Sequence, residues 1–163
     1  MTEIVSKIDP DKVVLAIDPG NIDSAYVLLH GDGRIKAFGK VPNAELVVVV
    51  RTGLYDYSCC EMICSYGMPV GRSVFDTCVF IGQILTHSPD TVLIPRLEVK
   101  LCVCRSPKAN DSSIRTALLD LYGPPGKKHA PGPTYGISGD VWAALALGVT
   151  FLEGRFRAYE LSK

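Results

Sequence analysis

Residues 13–17 are five consecutive apolar residues, Val-Val-Leu-Ala-Ile, and they run directly into Asp18, Pro19 and Gly20. An unbroken apolar run of this length reads as a strand buried on both faces. Pro19-Gly20 stops it, because proline has no N–H to donate and glycine tolerates a turn. Residues 25–30 read as a second strand. Residues 34–41 alternate polar and apolar positions, as a half-buried strand does. Short turns, among them Gly31-Asp32-Gly33, join the three into an antiparallel meander whose first strand lies inside the sheet. After Pro42, Asn43 is expected to cap a helix with Glu45 in its first turn, although the valines at 47–50 favour strand locally. Residues 57–63 read as another strand and residues 65–71 as a loop punctuated by glycine and proline. A helix is expected over 72–85, then a strand over 91–94. Asn110 or Asp111 starts a helix ending at Tyr122. Residues 123–136 form a loop tipped by Lys127, Lys128 and His129, and residues 141–153 an apolar helix that packs on the sheet.

Composition narrows the class. At 163 residues, with 47% of them hydrophobic, the chain is expected to be a single domain with a proper core and a flexible N-terminus over 1–11. That N-terminus is polar and mixed in charge, without a signal-peptide pattern. No apolar run approaches the roughly 20 residues needed to cross a bilayer, so no membrane is expected. The six cysteines lie mostly inside apolar segments and form no Cys-x-x-Cys pair. They are expected to be buried thiols, which suits a reducing cytoplasm better than disulfides or zinc. Lysine plus arginine and aspartate plus glutamate each number 17, so net charge is zero. Nucleic-acid contacts would have to come from local basic patches, and residues 96–108, with Arg96, Lys100, Arg105 and Lys108, are the most basic stretch.

Three carboxylates stand out at apolar places. Asp18 closes the first strand, Glu61 lies within the fourth, and Asp140 opens the last helix. Each has an ordinary explanation: a turn cap, an outward position on a one-sided strand, and complementation of the helix dipole. The order of elements, however, could bring all three to one edge of the sheet. Clustered carboxylates raise one another's pKa unless a cation neutralises them. Hard oxygen donors without His or Cys select Mg²⁺ or Mn²⁺, and such a site suits phosphoryl transfer.

In that order the motifs resemble the RuvC-type Holliday junction resolvases of the ribonuclease-H-like superfamily, in versions carried by phages and some bacteria. The resemblance rests on Ile17-Asp18-Pro19-Gly20 with Ser24-Ala25-Tyr26-Val27-Leu28-Leu29, on Cys60-Glu61-Met62, and on Ile81-Gly82-Gln83. It continues through Arg96-Leu97-Glu98-Val99-Lys100, which resembles the family's basic strand, and Ser106-Pro107-Lys108-Ala109, which resembles the loop after it. Gly139-Asp140-Val141-Trp142-Ala143-Ala144-Leu145-Ala146 resembles its acidic C-terminal helix. The likeness spans residues 13–153. It implies an α/β, ribonuclease-H-like fold: a mixed five-stranded sheet, antiparallel meander plus parallel strands, flanked by helices. It also implies an Mg²⁺- or Mn²⁺-dependent endonuclease working as a homodimer on branched DNA, the four-way junction, in the cytoplasm of a bacterial or phage-infected cell. Asp18, Glu61 and Asp140 fall on the family's metal-ligand positions, and Lys108 near its lysine that contacts the scissile phosphate. Tyr66 is the nearest candidate for the aromatic that stacks on exposed bases. Lys100, Arg105, Lys108, Lys127 and Lys128 are the candidate DNA contacts. One departure stands at Ala143, where the family usually has a second acidic residue one turn after Asp140, on the same helix face. Asp23 and Asp111 are the carboxylates that could compensate.

Rival readings are a related nuclease cutting an RNA–DNA hybrid or a ribosomal RNA precursor, and a junction-binding protein without catalysis. An actin-like kinase needs two such domains, and the length counts against it. The 72–85 helix carries more apolar surface than a sheet can cover. Val74, Cys78, Ile81 and Leu85 form one stripe, and Phe75 and Val79 extend onto another, so a second copy is expected on that side.

Overall fold

The computed structural model describes residues 3–162. Strands β1 (Val13–Asp18), β2 (Asp23–His30) and β3 (Ile35–Pro42) form the antiparallel meander, and α1 (Asn43–Thr52) follows. Then come β4 (Tyr57–Met62), α2 (Arg72–His87), β5 (Val92–Pro95), α3 (Arg96–Cys104) and α4 (Asp111–Tyr122). A two-stranded hairpin of β6 (Gly126–Lys127) and β7 (Ala130–Pro131) precedes the last helix, α5 (Val141–Glu153). The main sheet has five strands in the order β3-β2-β1-β4-β5, with β4 parallel to both β1 and β5. The mixed, helix-flanked sheet is the expected architecture.

β1 is the centre because nothing in it except its last residue wants water. Its odd positions, Leu15 and Ile17, pack with Leu46 and Val50 of α1 and with Phe80, Ile81 and Ile84 of α2. Its even positions, Val14 and Ala16, pack with Val99 and Val103 of α3, Ile114 and Leu118 of α4, and most of α5. Alternation along one strand thus feeds two cores, one per face of the sheet. α5 lies across β1 and β2, and Gly148 lets it come close. A Cβ there would stand 2.6 Å from Leu29 Cδ1 and 3.2 Å from Ala16 Cβ.

Four expectations change. Asn43 is the first helical residue rather than the cap, and Pro42 precedes it. The Asn43 side chain instead donates to Gly20 O at 2.9 Å and accepts from Ser24 Oγ at 2.7 Å, and Ser24 Oγ also accepts from Gly20 N at 3.0 Å. The amide ties down the β1–β2 turn, which has more unsatisfied backbone than the helix end. Residues 96–100, matched above to a basic strand, belong to the helix α3. Cys78 is exposed rather than buried, and Cys64 and Cys104 are half-buried; all six thiols are free. The buried side of α2 is Thr77, Phe80, Ile81 and Ile84, so Cys78 joins Phe75 and Val79 on the outer face.

Residues 3–11 run beside the α5 core, with Ile4 and Ile8 packed on it and Val5 N donating to Glu153 Oε1 at 2.9 Å. Residues 1–2 of the N-terminus expected to be flexible lie outside the described residues. At the other end, Tyr159 N donates to Leu93 O at 2.8 Å and Arg157 N to Glu98 Oε2 at 3.1 Å, so the C-terminal tail lies along the outer edge of β5. No helix among the described residues is long and apolar enough to cross a membrane.

Candidate active site

Register builds the site. Asp18 pairs with Ala25, and Ala25 with Lys40, across the antiparallel strands. On the other side Ile17 pairs with Cys60, which sets Asp18 beside Glu61, and Glu61 pairs with Ile94. Neighbours across a sheet share a face. Lys40, Ala25, Asp18, Glu61 and Ile94 therefore form one row, on the side covered by α5. The row crosses the carboxyl ends of the parallel strands, where open sheets place ligand sites. Ala25 is the small residue in that row, and the start of α5 brings Asp140 over it. Lys40 Nζ meets Asp140 Oδ2 at 2.6 Å.

Asp18, Glu61 and Asp140 all line one cavity of about 550 Å³, together with Arg96, Asp111, Arg115 and Trp142. Arg96 follows Pro95 at the end of β5. Its Nη1 donates to Glu61 Oε2 at 3.1 Å and its Nη2 to Asp111 Oδ1 at 2.5 Å. The Glu61 side chain is 15% exposed and that of Arg96 25%, so this pair is largely shielded from water. Burial raises the Glu61 pKa, against the pull of Arg96. Asp18 has no ion pair among the described residues. Burial, then the charges of Glu61 and Asp140, push its pKa up to about 7.

Among the described residues no three acidic, imidazole or thiol side chains close into a ready metal cage. The donor set nevertheless fits a hard divalent ion. It holds an unpaired, half-buried carboxylate with raised proton affinity and three more carboxylates on the same cavity wall, with no His or Cys among the lining residues.

The other anticipated residues divide. Tyr66 and Lys100 meet at a second, smaller cavity of about 270 Å³ beside Arg96, Leu97 and Pro107. Tyr66 is 65% exposed and has φ +45°, a backbone region costly for a side chain of its size. Lys108 is exposed in the turn before α4 and does not line the carboxylate cavity. Arg105 lines a different cavity, with Asn110, Thr116 and Asp120. Lys127 and Lys128 belong to the β6–β7 hairpin, which is rooted at Gly123, the far end of α4 from Asp111. The structure does not bring them to the carboxylates. Of the two compensating candidates, Asp111 lines the cavity and Asp23 does not.

Lys40, Arg115 and Trp142 were not anticipated as site residues, nor was Arg96 singled out from its basic run. Arg115 lies 5.4 Å over the Trp142 ring and makes no ion pair among the described residues. For Arg96 a signal was present: an arginine directly after a short parallel strand lies at the carboxyl edge of the sheet, two positions beyond Ile94, the partner of Glu61.

The fold is the ribonuclease-H-like fold of the RuvC-type resolvases. RuvC from Thermus thermophilus superposes over 90% of this chain and 99% of its own, with a TM-score of 0.65 and 16% identity. The structure of T. thermophilus RuvC in complex with a Holliday junction substrate matches over 91% and 99%, with a TM-score of 0.63 and 15% identity. No protein-family model and no curated protein sequence matches the chain.

Proposed function

We propose that this protein is a divalent-metal-dependent endonuclease that cuts branched DNA at four-way junctions as a homodimer. The single observation that carries the reading is the placement of Asp18, Glu61 and Asp140 on one cavity at the carboxyl end of the central strands. The RuvC fold, seen in T. thermophilus RuvC with a Holliday junction, supports the choice of substrate.

Asp18, Glu61 and Asp140 are the residues that would hold Mg²⁺ or Mn²⁺. The bound ion would polarise the scissile phosphate and make a water acidic enough to attack it. The protein's own part is positional. β1 and β4 fix the first two carboxylates on a rigid sheet, and Lys40 steers the third. Arg96 and Arg115 give the wall positive charge where a phosphate would arrive. Tyr66 and Lys100 extend that wall with an exposed ring and an ammonium group, a combination that suits stacking on a base beside a phosphate contact. On the opposite face of the sheet, Phe75 and Val79 of α2 are 60% and 65% exposed, apolar area suited to a second copy.

The test is a synthetic four-way junction incubated with the protein, with and without Mg²⁺ or Mn²⁺, beside a linear duplex and an RNA–DNA hybrid. Ion-dependent, paired cuts in the junction alone are expected. Asp18→Asn should abolish cutting and keep junction binding, since it removes charge with little change of shape. Preference for the hybrid, or cutting in the presence of a chelator, would overturn the reading.

A further inference from the structure

The cavity is not an open nest of acids. Two of its carboxylates, Glu61 and Asp111, are bridged by one guanidinium, with Arg96 contacts of 3.1 and 2.5 Å. Asp111 opens α4, and such a residue is ordinarily read as serving the helix end. Here Asn110 already does that, accepting from Ser113 N at 2.9 Å. The Asp111 carboxylate is turned instead to Arg96, and its side chain is 92% exposed, so it is an anchor on the solvent side. Arg96 is thereby held between an outer and an inner carboxylate, and it also lines the next cavity together with Leu97 and Pro107. On the α5 wall, the position one turn after Asp140 is Ala143, which lines the cavity and offers no ligand.

Formal charge bears on what the cavity accepts. Asp18, Glu61, Asp111 and Asp140 face Arg96, Arg115 and, through Asp140, Lys40. Four negative groups against three positive ones leave one uncompensated negative charge. A single divalent ion turns this to one positive charge, which one phosphodiester neutralises. Two divalent ions would leave three positive charges around one phosphate, an excess that a partly buried site does not tolerate cheaply.

We infer that Arg96, anchored by Asp111, is a built-in cation occupying the place of a second divalent ion, and that this site binds one metal ion per chain. Resting on the nuclease reading above, the inference makes Arg96 a positioning residue for Glu61 and a limit on metal stoichiometry.

Calorimetric titration of the full chain with Mn²⁺ at neutral pH, without DNA, tests it. One ion per chain is expected for the parent protein. Arg96→Gln should admit a second ion, or tighten the first by at least about tenfold through loss of a neighbouring positive charge. Arg96→Lys, which keeps the charge without the fork, should stay at one. Circular dichroism checks that each variant is folded; should Arg96→Gln unfold, Arg96→Met, which also removes the charge and keeps an unbranched stem, takes its place with the same expectation. Two ions in the parent protein, or Arg96→Gln folded with stoichiometry and affinity unchanged, would overturn the inference. The control is Asp18→Asn. If the parent binds two ions and Asp18→Asn removes both, only the single-ion inference falls. If the parent binds none, the metal-dependent nuclease reading falls with it.

Discussion

Asp18 bears most of the electrostatic tension in this molecule. Its backbone belongs to the most buried strand, its carboxylate faces two others, and the nearest cations are committed to Glu61 and Asp140. A carboxylate whose pKa rises from 3.8 to about 7 on folding holds its proton more tightly in the native state than in the unfolded one. Between those values the native state binds more protons, so stability falls as pH rises from about 4 to about 7. Asp18→Asn removes that slope. In a chelator, the variant should be more stable than the parent at pH 7.5 by roughly 1–3 kcal/mol, with the difference gone near pH 4. Urea denaturation at several pH values measures it, and parallel curves for the two proteins would show that Asp18 carries no such strain. Added Mg²⁺ should stabilise the parent and leave the variant unchanged, because only a folded state that binds the ion gains from it.

At the scale of elements, the two kinds of wall around the site differ in how they were encoded. The sheet was legible: β1 through its unbroken apolar run, β3 through alternation, α5 through its length of apolar residues. Asp18, Glu61 and Asp140 were legible too, because a charge in such a run has few reasons to be there. α3 was not. Leu97, Val99, Leu101 and Val103 alternate with Arg96, Glu98, Lys100 and Cys102, which is the period of a strand, yet the residues it buries are Val99, Cys102 and Val103. Packing against α5 chose the helical face over the local pattern. The Lys40–Asp140 contact spans 100 positions and depends on register across three strands, which no local signal specifies. α5 itself depends on close approach. Alanine at 148 would gain up to about 1 kcal/mol of helix propensity. Its Cβ, at 2.6 Å from Leu29 and 3.2 Å from Ala16, would cost about 1–3 kcal/mol of overpacking. The second effect should win, because Ala16 sits on a buried central strand that does not yield. Gly148→Ala should therefore lower stability by about 1–2 kcal/mol in urea denaturation; a gain would mean that Leu29 simply turns aside.

Over the whole molecule, the sheet separates two tasks. α3, α4 and α5 wall the carboxylates on one face, while α1 and α2 cover the other. Phe75 and Val79, with Val48 of α1 60% exposed, lie on that second side. If a second copy docks there, Val79→Glu should turn a dimer into a monomer in sedimentation at micromolar concentration. Ion binding at Asp18 should be unaffected, because the substitution lies across the sheet from it. A monomeric parent that still makes paired cuts would contradict the dimer. The sheet also has an open flank at β5, whose outer backbone is met by the tail through Tyr159 N and Leu93 O. Such a flank is a template for any extended chain that finds it. The tail therefore covers backbone that would otherwise be open to such pairing. A version of this protein shortened before Arg157, or one with a bulky fusion pulling on residues 156–162, would expose a sticky edge and lose solubility while the carboxylate cavity stayed in place.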